Sequence, residues 1–120
     1  MAHQIVWCDI PVLDLDRAMK FYSAVLGAEV QKHEVPGVTI GILPHNDGEV
    51  GGCLFTSDDE KPTDKGVMVY LNANGRLDDA IASVAPNGGK VVQPKHAIGP
   101  YGFRAIILDS EGNRLALHSE

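Results

Sequence analysis

Residues 9–27 read Asp9-Ile10-Pro11-Val12-Leu13-Asp14-Leu15-Asp16-Arg17-Ala18-Met19-Lys20-Phe21-Tyr22-Ser23-Ala24-Val25-Leu26-Gly27, and the fold is decided there. Leu15, Ala18, Met19, Tyr22, Val25 and Leu26 recur at three- and four-residue spacing, which gives a helix one apolar face. Asp14 is placed to cap its start, Asp16 suits the positive helix end, and Gly27 permits a left-handed stop. A second segment repeats the pattern from about Arg76, with Leu77, Ala80, Ile81 and Val84 on one face. Pro86-Asn87-Gly88-Gly89 ends it, since proline cannot continue a helix and glycine allows the chain to reverse.

Outward from the helices, the apolar runs are short and rich in Val, Ile and Leu, so they read as strands. Four fall at Ile5–Ile10, Ala28–Lys32, Val38–Leu43 and Val50–Phe55, and four more at Val67–Leu71, Lys90–Gln93, Phe103–Leu108 and Arg114–His118. The charged stretch Thr56–Lys65, with Pro62, reads as a solvated connecting loop. The order is strand, helix, three strands, and then the same again. Gly27-Ala28-Glu29-Val30 is echoed by Gly88-Gly89-Lys90-Val91, and Asp47-Gly48 by Glu111-Gly112. Each echo alone is ordinary turn chemistry; in sequence they indicate a duplicated βαβββ module. The expectation is one α+β domain over 1–120, with module one at about 1–57, a linker at about 58–65 and module two at about 66–120.

Composition agrees with that class. The 120 residues are 44% hydrophobic and 22% charged, the ordinary globular range. A net charge of −6, with no basic stripe among ten Lys and Arg, argues against a nucleic-acid partner. Met1-Ala2-His3-Gln4 lacks the basic-then-apolar pattern of a secretory signal, and no apolar run approaches the ~20 residues that cross a bilayer. Cys8 and Cys53 are too few for a disulfide framework. A cytoplasmic protein without membrane contact is expected.

The doubled βαβββ order is the signature of the vicinal-oxygen-chelate superfamily, which includes glyoxalase I, bleomycin-resistance proteins and extradiol dioxygenases. Asp9 to Ala18, then Phe21-Tyr22 and Leu26-Gly27, resembles the family's opening V-x-D-x-x-x-x-x-F-Y-x-x-x-L-G. Leu108-Asp109-Ser110-Glu111-Gly112-Asn113-Arg114 resembles its D-P-x-G-N turn into the last strand. The likeness spans essentially the whole chain and is similar to small bacterial proteins related to lactoylglutathione lyase. It implies a curved mixed-sheet cup around a small-molecule pocket, often in a homodimer and sometimes with the pocket shared between subunits.

Metal-dependent members draw ligands, usually His or Glu, from the first and last strand of each module, and the metal binds two neighbouring substrate oxygens. Counting from Phe21-Tyr22 and Glu111-Gly112, and then by the repeat, these positions fall on Trp7, Gly52, Val67 and Ala116. None offers an imidazole or carboxylate, whereas a divalent metal needs three or four such ligands. No metal or other cofactor is therefore expected at the inherited site. A relocated His3–Glu49–His118 set is the alternative, and it would make the protein a metal-dependent lyase or isomerase.

The pocket residues expected are Trp7, Asp9, Tyr101, Arg104 and His118. Trp7 either stacks on a flat apolar ligand or fills the core. Asp9 is a base if burial raises its pKa, and otherwise an exposed strand-end residue. In Gly99-Pro100-Tyr101-Gly102-Phe103-Arg104, Tyr101 offers a hydroxyl and Arg104 a grip on an anionic group; alternatively the aromatics pack on the second helix or a partner. His118 lies two residues beyond Ala116, on the same strand face, either as a pocket group or as a packed strand residue. Cys8 and Cys53, inside apolar strands with no recognisable base, read as inert packing. The function expected is small-molecule binding without the usual metal, either as an enzyme or as a sequestering protein of the bleomycin-resistance kind.

Overall fold

Asp14 takes an extended conformation (φ −130°) and its carboxylate accepts a hydrogen bond from the Arg17 N–H at 3.0 Å, starting helix α1 at Leu15–Leu26. Gly27 stops it in the left-handed region at φ 69°. The computed structural model describes residues 3–120. Helix α1 follows β1 (Trp7–Pro11) and precedes β2 (Gln31–Val35), β3 (Val38–Ile42) and β4 (Gly51–Phe55). Then β5 (Val69–Asn72), α2 (Leu77–Ala82), β6 (Lys90–Ala97), β7 (Phe103–Leu108) and β8 (Arg114–Ser119) repeat the order. The strands form two four-stranded sheets, β1-β4-β3-β2 and β5-β8-β7-β6. In both, the first strand lies parallel to the last and the other pairings are antiparallel.

The helices cover one face of the sheets and share one core. Ala18, Phe21, Tyr22 and Val25 of α1 meet Ile10 and Leu54 from the first sheet and Leu71, Ile107, Leu115 and Leu117 from the second. Arg76, before α2, donates to the Val25 carbonyl at 2.5 Å, so a cation sits at the negative end of α1. Gly89 lies where a Cβ would come within 2.5 Å of the Leu108 carbonyl oxygen and 2.6 Å of the Phe21 ring. Only glycine lets β6 start so close to α1.

The turn before β8 locks the modules together. Asp109 is buried and accepts from the Tyr22 hydroxyl at 2.5 Å and from the Glu111 and Asn113 N–H groups at 2.8 and 2.9 Å. Asn113 Nδ2 donates to the Pro11 carbonyl at 2.8 Å. Glu111 accepts from the Leu13 and Asp14 N–H groups and is forked by Arg17 at 2.7 and 2.9 Å. The sequence motif at 108–114 is therefore a clasp on the start of α1.

Several boundaries differ from the sequence reading. β1 begins at Trp7, since its partner β4 begins at Gly51; Ile5 and Val6 remain exposed and outside the ladder. β2 begins at Gln31, not Ala28, because the Val30 N–H still bonds back to Ser23 Oγ at 3.0 Å and the Val30 side chain is buried. β5 leaves out Val67, which is exposed. β6 runs past Gln93 to Ala97, with irregular register between Val91, Gln93 and His96 that accommodates Pro94 on an edge strand. Among the described residues no helix is long and apolar enough to cross a membrane.

Candidate functional site

The faces of the sheets turned away from the helices carry the polar groups. On the second sheet, register aligns Asn72, His118, Arg104 and His96 in one row, and Tyr70, Ala116, Ile106 and Gln93 in the next. The Arg104 guanidinium donates from Nε to His96 Nε2 at 3.0 Å and from its terminal nitrogen to the Tyr70 hydroxyl. Arginine can only donate, so His96 Nε2 must accept. The proton then sits on Nδ1, which donates to the Pro94 carbonyl at 2.8 Å. The irregularity in β6 is what turns His96 toward Arg104, a common use of a bulge. His118 Nε2 donates to the Tyr101 carbonyl at 2.6 Å, and Tyr70, Ile98, Tyr101 and His118 line an open hollow of about 380 Å³.

Arg104 has no carboxylate partner among the described residues. The ion pairs there are Arg17–Glu111, Lys32–Asp16, Lys65–Asp64 and Lys95–Asp78. A half-buried guanidinium thus rests on a neutral imidazole and a phenol.

The first sheet carries a second cluster. Trp7 Nε1 donates to Asp9 Oδ1 at 2.8 Å, and the Cys53 thiol donates to the same oxygen at 3.2 Å. The His45 ring meets Trp7 edge-on at 5.8 Å. A Cβ on Gly51 would fall 2.8 Å from that imidazole, so the ring can lie against the strand only because residue 51 is glycine. Burial, and then the hydrogen bond to and charge of Asp9, push the Cys53 thiol up to about 11, against a smaller lowering from Trp7. Cys8 is raised as well, first by burial and then by Asp9. Both thiols are therefore protonated at neutral pH, which disfavours nucleophilic chemistry.

The five sequence-predicted residues thus fall into two groups: Trp7 with Asp9, and Tyr101 with Arg104 and His118. Sequence reasoning missed Tyr70 and His96, and it read Cys53 as inert packing without its bond to Asp9. Tyr70 lay out of reach because alternation from Val67 leads to Val69 and Leu71, whereas alternation from Met68 leads to Tyr70; nothing in the sequence announces the bend that aims His96.

The register also corrects two of the four family ligand positions. The Val12 N–H donates to the Phe55 carbonyl at 2.8 Å, and the Ala73 N–H donates to the His118 carbonyl at 2.7 Å, the same bond in each module. Counting back from Val12 and Ala73, Trp7 corresponds to Met68, not Val67. Counting back from Phe55 and His118, Ala116 corresponds to Cys53, not Gly52. Gly52 points its missing Cβ toward the Cys8 backbone and Leu43, on the helix side. Module one carries one extra residue between its turn glycine, Gly48, and this position, which shifted the count. The corrected set, Trp7, Cys53, Met68 and Ala116, gives one thiol, one thioether and no imidazole or carboxylate. It does not fit a resident divalent metal of the hard or borderline kind. No group of three or more His, Cys, Asp or Glu among the described residues is arranged to hold a metal ion. Glu49 instead accepts from the Asn46 N–H at 2.8 Å within its own turn.

A larger cleft, about 410 Å³, runs between β1 and β5 and includes Cys8, Ile10, Leu26, Leu43, Val69 and Leu71 in its lining. None of the five predicted residues lines it. Tyr70 and Asn72 also line it, but Arg104, His96 and His118 do not, so the polar faces are the stronger site.

Comparison with known proteins agrees with this architecture. The model of the Glyoxalase/Bleomycin resistance protein/Dioxygenase superfamily matches residues 4–117. A glyoxylase-like domain-containing protein of Didymella fabae is 30% identical over 124 residues, covering 95% of this chain and 91% of that protein. The Mycobacterium tuberculosis protein CFP32, provisionally named a glyoxylase, is 28% identical over 115 residues. That match covers 92% of this chain but only 43% of CFP32, so the chain spans less than half the length of that relative. Among solved structures, a glyoxalase/bleomycin resistance protein from Albidiferax ferrireducens superposes with a TM-score of 0.78 at 17% identity, covering 98% and 99% of the two chains.

Proposed function

The chain belongs to the Glyoxalase/Bleomycin resistance protein/Dioxygenase superfamily, and on that premise we propose that it binds a small organic molecule on its helix-free sheet faces without a resident metal. One observation carries the reading: a family member whose four ligand positions are Trp7, Cys53, Met68 and Ala116 still holds Arg104, His96 and Tyr70 in a hydrogen-bonded array on an open face. A pocket without those donors still has aromatic and polar groups with which to recognise a small molecule. Trp7 and Tyr101 supply aromatic surface, while Asp9, Arg104 and His118 supply polar grip. The active form is a cytoplasmic homodimer in which a second copy covers these faces, and the −6 charge suits a small-molecule partner better than a nucleic acid.

The competing reading is a metal-dependent lyase or isomerase with ligands moved to His3, Glu49 and His118. Elemental mass spectrometry of the untagged protein, equilibrated separately with Zn²⁺, Ni²⁺, Mn²⁺ and Fe²⁺, separates the two. Less than about a tenth of an equivalent of each is expected. Close to one equivalent of any of them, lost in His118→Ala, would replace the metal-free reading with the competing one.

A further inference from the structure

From the Arg104 array we infer the class of ligand: the site takes a small organic oxyanion, a carboxylate in the simplest case, with Arg104 as its anchor and His96 and Tyr70 as positioning residues. This rests on the proposed reading that the helix-free faces form the pocket.

The argument starts from charge. In a chain of net charge −6, an arginine on a partly buried strand face would be expected to meet a carboxylate. Arg104 meets none among the described residues. Its two protein contacts are the His96 imidazole and the Tyr70 hydroxyl, both uncharged, so its positive charge stays uncompensated on the face. Guanidinium carries five N–H donors in a planar fork, and these contacts use two of them. Among the described residues the remaining donors meet no protein acceptor, and a carboxylate is the group whose two oxygens match such a fork.

The array is also built to hold that fork still. Pro94 fixes His96 through Nδ1, His96 fixes Arg104 through Nε, and Tyr70 fixes a terminal nitrogen. The guanidinium carbon also lies 5.9 Å from the centre of the Tyr70 ring, within cation–π range. A flexible side chain that exists only to keep the protein soluble needs none of this. The distortion of β6 that places His96 is then part of the site, not an accident of Pro94.

The test uses matched probes: benzoate, phenylacetate and butyrate against benzamide, phenylacetamide and butyramide, with binding to the intact protein read by NMR shift changes. The expected result is that carboxylates bind more tightly than their amides by roughly tenfold or more, with shifts at Arg104, His118 and Tyr70. Arg104→Ala should abolish that preference, and Arg104→Lys should restore only part of it, because an ammonium keeps the charge without the fork. His96→Ala should lower the carboxylate-to-amide ratio several-fold, and His96→Gln, which can still accept from Arg104, should recover part of it. Amide affinity should hold steady throughout, which a merely structural loss would not allow. Amides binding as well as carboxylates, or a preference that survives Arg104→Ala, would overturn the oxyanion assignment and leave the pocket standing. Shifts confined to other surfaces, or no binding by either class, would overturn both.

Discussion

At the scale of single residues, Asp9 is the most consequential group on the first sheet. One of its oxygens accepts from both the Trp7 indole and the Cys53 thiol, so it ties the sole tryptophan to a buried sulfur. The thiol's pKa near 11 has burial as its largest cause and Asp9 as the next. Asp9→Asn removes the charge while keeping an oxygen that can accept. The thiol pKa should then fall toward the ordinary 9.0 without reaching it, because burial remains. The pH dependence of alkylation at Cys53, resolved from Cys8 by mass spectrometry, measures this. An unmoved midpoint would mean that the Asp9 carboxylate does not act on the sulfur. Strand alternation from Trp7 was enough to place Asp9 on the same face. Cys53 was not legible, because one extra residue after Gly48 moved the strand past the expected count.

At the scale of elements, the clasp before β8 makes one short turn responsible for the start of α1. Burial alone would raise the Glu111 pKa. The Arg17 guanidinium, the Asp14 N–H, the Ser110 hydroxyl and the Leu13 N–H outweigh it and hold the pKa at about 2, below the ordinary 4.5. The folded state therefore binds fewer protons here than the unfolded chain. Glu111 stabilises the fold fully above pH 4.5 or so, and that contribution is lost as the pH falls toward 2. Glu111→Gln should cost about 1–3 kcal/mol at pH 7, moderated because Arg17 is half-exposed. It should also flatten the fall in urea stability between pH 5 and 3 relative to the parent. Parallel pH profiles for the two proteins would show that the clasp does not carry the acid sensitivity. Both helices, all eight strands and the doubled order were readable from apolar spacing and turn residues. The boundaries that moved did so for tertiary reasons: Ser23 holding Val30, β4 deciding where β1 begins, and β6 absorbing a proline at the edge. The oxyanion array depends on the last of these, which is why Arg104 was visible in the sequence and His96 was not.

For the whole molecule, the question is what covers the faces opposite the helices. In a single chain these faces leave Trp7 42%, Val35 45%, Val38 42% and Tyr70 45% exposed. Apolar and aromatic groups of this kind are what an association surface covers. Together with the family's architecture, this leads to the homodimer proposed above, in which the Trp7–Asp9 cluster and the Arg104 array are both covered. Sedimentation equilibrium should then give twice the chain mass at about 50 µM, an ordinary range for a stable interface. Because Trp7 is the only tryptophan, its emission reports on the same event. It should be blue-shifted in the dimer and move to the red on dilution, at the concentration where the mass halves. Val38→Lys places a charge on the open face without touching the core cluster or the clasp, so it should yield a folded monomer with water-like Trp7 emission. A parent protein that is monomeric at the same concentration, with its tryptophan already in water, would mean that each chain keeps its faces open. Any ligand would then have to be held by one copy, in the 380 Å³ hollow beside Tyr101 or the 410 Å³ cleft between β1 and β5.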